Sequence, residues 1–407
     1  MASKSLTQFR ARVLPDSSVL LCAYLGAEAF KNRESAPPPV FRLYRRHEPD
    51  FLFNRDYADF FDGLSWTGAD LLFEGEAALL NERKWEYRDT TAQIGQTYAY
   101  WATLKGSETP PAGPCAVKVR HPEVWWPYAK LEERLNRLAQ RHPDAVTLTS
   151  HGSSTRQRPI PGITIGRQPP EIALVGAVHP GESGPELIVP VLEQLLEHER
   201  PLLEKVGLAA LPSVSLDERE RQVEGCPHYL RTNANGVDLN RNFPAEWETI
   251  EYGYGLISSD RDAVTYRGPF AASENETRTV MAFMETHRPK AVFSFHCLAG
   301  ICSPVFLTTR SGADHPVFQE ACEAWTRPYA EGYYGQMREP AVKYACSAGS
   351  LPHWLYLQSG VPCFDLEWDG DAATKGCIND LTTPEMIDDC ARRHFEGIRA
   401  VLQSRLR

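Results

Sequence analysis

The run Ile172-Ala173-Leu174-Val175-Gly176-Ala177-Val178 contains no polar side chain. A stretch this short and this apolar reads as a strand buried on both faces. It stops at His179. Pro180 and Gly181 then turn the chain, Glu182 follows the histidine by three residues, and Gly184-Pro185 open an apolar helical stretch. A buried strand, a glycine loop and a helix in that order form a repeating unit of α/β folds, with helices laid against a sheet. The same loop carries chemistry, because an imidazole and a carboxylate presented from one strand end can face one cation. Of the twelve histidines in the chain, only His179 has a glutamate three residues later.

The 407 residues exceed what one core usually supports, so two domains are expected. Hydrophobic residues at 42% and charged residues at 24% are globular values. The net charge of −10 argues against nucleic acid or an anionic membrane as the main partner. The segment Met1-Ala2-Ser3-Lys4-Ser5-Leu6-Thr7-Gln8-Phe9-Arg10 has no apolar core followed by a small-residue cleavage site, and no long uninterrupted apolar run follows it. A cytoplasmic protein is the expectation. The ten cysteines form no C-x-x-C pair, which leaves no support for a thiolate zinc site.

Residues 1–122 are short runs bounded by turn residues, including Ala36-Pro37-Pro38-Pro39 and Thr109-Pro110-Pro111-Ala112-Gly113-Pro114. They predict a small all-β sandwich domain. Its clearest piece is the strand Gly95 to Thr103, followed by Cys115 to Val119, which resembles the last strands of a fibronectin-III-like sandwich. At Trp126 to Arg141 the pattern changes, with Leu131, Leu135 and Leu138 at helical spacing. From there to residue 407 strands alternate with helices. Strands are expected near Thr164, up to Val178, from Gly207 to Val214, from Ala291 to Phe295 and from Val361 to Leu366. Helices are expected after Glu186, from Glu274 to His287 and from about Glu385. Ser273 and Glu276 form an S-x-x-E pattern that predicts a capping box. The fold class is α/β, residues 123–407, preceded by the all-β unit.

Catalytic zinc usually takes three protein ligands and leaves a position for water. His296 ends the apolar strand Ala291-Val292-Phe293-Ser294-Phe295 as His179 ends the first. Open α/β sheets gather ligands at the carboxyl ends of their strands. His179, Glu182 and His296 are therefore the expected ligands of one zinc ion.

Between these strands lies Arg231-Thr232-Asn233-Ala234-Asn235-Gly236-Val237-Asp238-Leu239-Asn240-Arg241-Asn242-Phe243-Pro244. A G-V-D-L-N-R-N-F-P run between an H-x-x-E loop and a later strand-end histidine resembles the M14 zinc carboxypeptidase family. Tyr266-Arg267-Gly268-Pro269 with Ser273-Glu274 is similar to its Y-x-G-P…S-E stretch. The resemblance covers roughly residues 123–407 and implies a mixed central sheet flanked by helices. It implies that Asn240 and Arg241 grip a substrate's terminal carboxylate, a role suited to a planar guanidinium, and that Arg231 stabilises charge on the scissile carbonyl oxygen. It implies that Tyr344, in Tyr344-Ala345-Cys346-Ser347-Ala348-Gly349-Ser350, belongs to a mobile loop that closes over the bound C-terminus. Glu367, in Cys363-Phe364-Asp365-Leu366-Glu367-Trp368, aligns with the family's general base. Asp365 stands where the family often has threonine, and alternation places it on the strand face of Glu367, whose proton affinity it is expected to raise.

The implied activity is removal of one C-terminal residue from a peptide or protein. Leu351, after Ser350, puts no acid at that place in the specificity pocket, and Cys297-Leu298-Ala299-Gly300 lacks polar residues many relatives have after the third ligand. The wording Val178-His179-Pro180-Gly181-Glu182 also resembles cytosolic carboxypeptidases with an N-terminal β-domain. Competing readings are a zinc amidohydrolase or deacylase, including one acting on peptidoglycan-derived peptides, a catalytically silent peptide-binding module, and a partner-docking role for the N-terminal unit.

Overall fold

The computed structural model describes residues 6–26, 38–48, 64–76, 84–182, 184–225, 230–250, 257–296, 304–368 and 383–406. Ala36-Pro37 and Cys297-Leu298-Ala299-Gly300 lie outside the described residues. The chain forms two compact units, Met1–Trp125 with Arg221–Tyr229, and Trp126–Glu220 with Leu230–Arg407.

Among the described residues of the first unit seven strands run β1 (Leu6–Val13), β2 (Val19–Leu25), β3 (Val40–His47), β4 (Asp70–Glu76), β5 (Lys84–Asp89), β6 (Thr97–Leu104) and β7 (Ala112–Lys118). They make two antiparallel sheets, β1-β2-β5 and β4-β3-β6-β7. Val19, Leu21, Ala23 and Leu25 alternate inward along β2, as a strand with one core-facing side requires. They join Phe41, Leu43, Tyr100 and Val117 of the other sheet in one apolar core. Phe41 and Trp85 stack across it with centroids 4.6 Å apart. The Asp89 carboxylate is buried beside this core. Asp89 Oδ2 accepts from Tyr100 Oη at 2.9 Å and Arg45 Nη1 at 2.8 Å, while Oδ1 accepts from Thr91 N and Oγ1 at 2.9 and 2.7 Å.

The second unit is built on an eight-stranded mixed sheet. Its strands are β8 (Val146–Ser153), β9 (Pro159–Ile165), β10 (Pro170–Gly176), β11 (Gly207–Leu211), β12 (Ala291–Phe295), β13 (Pro304–Thr309), β14 (Ala341–Cys346) and β15 (Cys363–Trp368), in the order β14-β13-β15-β12-β10-β11-β9-β8. The four central strands β11, β10, β12 and β15 are parallel. They hold the continuous apolar runs, because helices cover both faces of such strands. The described helices are α1 (Tyr128–Arg141), α2 (Pro185–His198), α3 (Arg200–Leu203), α4 (Leu216–Val223, of which the residues from Arg221 belong to the first unit), α5 (Asn275–His287), α6 (Pro316–Tyr334), α7 (Leu351–Ser359) and α8 (Pro384–Ser404). No described helix is long and apolar enough to cross a membrane.

Most expected elements occur within a few residues of their place. β10 ends at Gly176, before Val178, and β11 at Leu211, before Val214. The expected capping box does not form. The residue before α5 is Glu274, without a side-chain cap, and Glu276 instead accepts from Thr155 N and Oγ1 at 2.7 and 3.1 Å and from Asn233 Nδ2 at 3.3 Å. A buried carboxylate within reach of long-range donors takes them in preference to its own helix start.

Burial pushes the Asp89 carboxyl up, but the hydrogen bonds from Thr91, Tyr100 and Arg45 outweigh it and hold the group below the ordinary range. Its contribution is therefore full above the unfolded value of about 3.9 and is lost as pH falls through the lower folded value. Asp89→Asn is expected to cost about 2 kcal/mol at neutral pH, read as lost hydrogen-exchange protection of β5 and β6 amides in the full chain. The gap from wild type should close as pH falls below about 4; an equal gap at both pH values would contradict the assignment.

Candidate metal centre

β10 and β12 are adjacent and parallel, with Gly176 opposite Phe295. The chain leaves β10 towards β11 on one side, and leaves β12 towards β13 and β15 on the other. This is a topological switch point, where loops diverge and open a crevice at the carboxyl ends of the strands. His179 and His296 enter it from these two strand ends.

The turn after β10 is tightly specified. Gly176 lies where a Cβ would meet Pro212 O at 2.4 Å and Gly184 Cα at 2.7 Å, so the chain can fold back only over a glycine. Ala177 then takes a left-handed conformation (φ 46°), at about 1 kcal/mol for a residue with a Cβ. Buried donors hold the rest of the loop. Ser215 Oγ donates to Val178 O at 2.7 Å, and Gly181 N donates to Leu230 O at 2.8 Å. Arg219 Nη1, on α4, donates to Pro180 O at 2.9 Å and Glu182 O at 2.6 Å, while Nη2 pairs with Glu186 at the start of α2.

His179, Glu182 and His296 are brought together, all buried, with ligand atoms within 4.8 Å of one another. His179 Nδ1 and His296 Nδ1 each lie 2.9 Å from Glu182 Oε2. The other nitrogens face outward. His179 Nε2 donates to Asp238 Oδ1 at 3.0 Å, and His296 Nε2 lies 3.1 Å from Ser294 Oγ and 3.3 Å from Asp365 Oδ1. A proton on each Nε2 leaves each Nδ1 lone pair aimed inward. His179 Nδ1 takes no hydrogen bond although it is buried. Inward lone pairs plus one carboxylate oxygen are the donor set of a divalent cation such as zinc.

The surrounding carboxylates favour a positive charge at the centre of the cluster. Burial alone would raise Glu182, yet His179 and His296 hold it well below the usual carboxylate range. Burial would lower His296, but Asp365 and Glu182 push it well above the ordinary value. Asp238 is likewise depressed against its burial by Arg231, His179 and Arg241. The site concentrates negative charge that a cation satisfies.

The other expected residues take the following places. Arg231 Nε donates to Asp238 Oδ2 at 2.8 Å, and Arg241 Nη1 to Asn240 O at 2.7 Å. Asn240 is buried, its Nδ2 donating to Asp365 Oδ2 and its Oδ1 accepting from Leu351 N, both at 2.9 Å. Glu367 is the partly exposed residue after four buried ones on β15, one face-repeat beyond Asp365 towards the ligand end. Tyr344 sits in β14 rather than in a loop, its ring against Gly312 and its hydroxyl beside Cys322 of α6. The segment after it is anchored. Phe243 N donates to Gly349 O at 2.9 Å, and Ser350 caps α7. Gly349 has φ 71°, and a Cβ there would lie 2.3 Å from Arg241 O.

Asp365 is directed at His296 and Asn240, which gives its charge a different use from the expected effect on Glu367. Asp238, Arg219 and Glu186 carry roles that sequence reasoning did not give them. The signal for Asp238 was a carboxylate between Val237 and Leu239 in the densest motif, where burial of a charge demands partners.

A mixed α/β sheet bearing a buried two-histidine, one-glutamate cluster at the ends of adjacent parallel strands defines a single-metal α/β enzyme class. Residues 131–387 match the zinc carboxypeptidase family, and the chain belongs to it. It is 30% identical over 279 residues to zinc carboxypeptidase A 1 of Anopheles gambiae, covering 63% of each chain. It is 44% identical over 77 residues to murein peptide amidase A of Escherichia coli, which is 18% of this chain and 31% of that one. The chain thus spans less than two thirds of these curated relatives. In fold it is similar to bovine thrombin-activatable fibrinolysis inhibitor, with TM-score 0.53, 19% identity, and coverage of 69% of this chain and 96% of that one.

Arg219→Met should destabilise the full chain by about 3–5 kcal/mol, because it strands the Glu186 charge in the interior. Adding Glu186→Leu should recover part of the loss, as read by denaturant unfolding. A cost below about 1 kcal/mol for Arg219→Met would show that the loop does not depend on this ion pair.

Proposed function

We propose that this protein is a zinc-dependent metallocarboxypeptidase that hydrolyses the C-terminal bond of peptides or proteins. The observation that carries this reading is the convergence of His179, Glu182 and His296 on one point, with Arg231 and Arg241 flanking Asp238 beside it. Zinc held by the three ligands would polarise the scissile carbonyl and lower the pKa of a water. Glu367 takes the proton of the attacking water and returns it to the leaving amine. Arg231 donates to the oxygen on which negative charge grows. Arg241 holds the terminal carboxylate, and Asn240 has a second Nδ2 hydrogen to offer it beyond the one given to Asp365. Tyr344, on β14 beside Cys322, would close over the bound C-terminus.

A second reading, an amidase acting on cell-wall-derived peptides, draws support from the 44% identity to murein peptide amidase A. The two separate in one experiment, in which peptides differing at the last residue and a murein tripeptide are incubated with the protein, with and without chelator, and products are weighed. Chelator-sensitive loss of a terminal residue supports the carboxypeptidase. Cleavage of the murein peptide alone replaces it with the amidase, and no cleavage of either sinks both.

Glu367→Gln is expected to keep its zinc and lose about 10²- to 10⁴-fold in turnover, the range of general acid–base catalysis. His179→Ala should lose zinc and turnover together. A Glu367→Gln protein with wild-type turnover would remove that residue from the chemistry.

A further inference from the structure

The two ligand histidines are backed by different elements. His179 is backed by Asp238, from the loop before the Leu239–Arg241 turn. His296 is faced by Asp365, from the neighbouring strand β15, in which Asp365 pairs with Ser294. His296 N donates to Leu366 O at 3.1 Å, so ladder bonding fixes the ring's starting point relative to that carboxylate. Asp365 is 3% exposed. Its Oδ2 accepts from Asn240 Nδ2 at 2.9 Å and faces Cys346 Sγ at 3.7 Å. Its Oδ1 is buried, accepts no hydrogen bond, and lies 3.3 Å from His296 Nε2. A carboxylate so enclosed needs a positive or donating partner, and the imidazole is placed to be that partner.

We propose that Asp365 is a positioning residue for the metal ligand His296. Held by Asn240, it keeps the proton on Nε2 and the bare Nδ1 turned towards Glu182, as Asp238 does for His179. Both histidine ligands would then be carboxylate-backed, the second at the place where the family resemblance leads one to expect an uncharged threonine. The role rests on the metal-site reading and is independent of which bond the enzyme breaks.

The test uses full-length protein without substrate. Zinc affinity is measured by competition with a chromophoric chelator, and cobalt-loaded protein is followed by visible absorption. Asp365→Asn should weaken zinc about 10- to 100-fold, as should Asp238→Asn, and should shift the cobalt bands. Ser294→Ala should stay within about threefold of wild type, since the hydroxyl carries no charge. In zinc-loaded wild type with ¹⁵N-labelled histidine, two exchange-protected Nε2 protons are expected from the ligands. This measurement stands even where a variant fails to fold. The proposal is overturned if Asp365→Asn binds zinc within about twofold of wild type while Asp238→Asn does not, if Ser294→Ala alone reproduces the loss, or if His296 shows no protected Nε2 proton. Unchanged zinc affinity with an altered choice of released residue would place Asp365 in the substrate pocket instead. Weakened zinc in a protein that cleaves no peptide would leave this role standing and remove only the proposed activity.

Discussion

Asp238 has no exposed surface, and several elements of the catalytic crevice meet on it. One oxygen takes the His179 imidazole and the backbone N of Asn240, and the other takes Arg231. Its own N donates to Tyr266 O. A buried carboxylate costs several kcal/mol unless its lone pairs are filled, so these partners are bound to one another by a shared requirement. The ligand, the guanidinium beside it and the turn bearing Asn240 and Arg241 are held in register because all answer the same charge.

That logic repeats around the crevice. Arg219 reaches two carbonyls of the ligand loop and the Glu186 carboxylate, so the loop and the start of α2 are fixed together. Asn242 Nδ2 donates to Arg267 O, Phe270 O and Ser273 Oγ, and Asn233 Nδ2 to Glu274. Loops at strand ends lack ladder hydrogen bonds, and buried side chains supply the missing partners. The cluster is thereby held by segments that are not regular structure. Preorganisation of this kind is what catalytic electrostatics requires.

Some of this was legible in the chain and some was not. The strands leading to His179 and His296 were, because an apolar run buried on both faces leaves few alternatives and places its next polar residue at the rim. The helices at Leu131 to Leu138 and near Glu385 were, through their periodicity. The fate of Ser273 and Glu276 was not, since a local capping pattern competes with Thr155 and Asn233, which are distant in sequence. The family resemblance implies a loop at Tyr344, but in the fold this residue alternates with exposed neighbours in β14.

The sequence by itself determined which residue types meet at the site, since metal binding needs imidazole and carboxylate and those occur at strand ends in one order along the chain. It also determined the sheet's apolar centre, through runs that can be buried only between helices. Only the tertiary structure decided how the remaining charges are used. Asp365 faces His296 because β15 lies beside β12 with Asp365 opposite Ser294, and Asn240 holds it because the Asp238 turn lies against that strand. Strand order and register are long-range choices made by packing the whole sheet at once, and no local pattern records them.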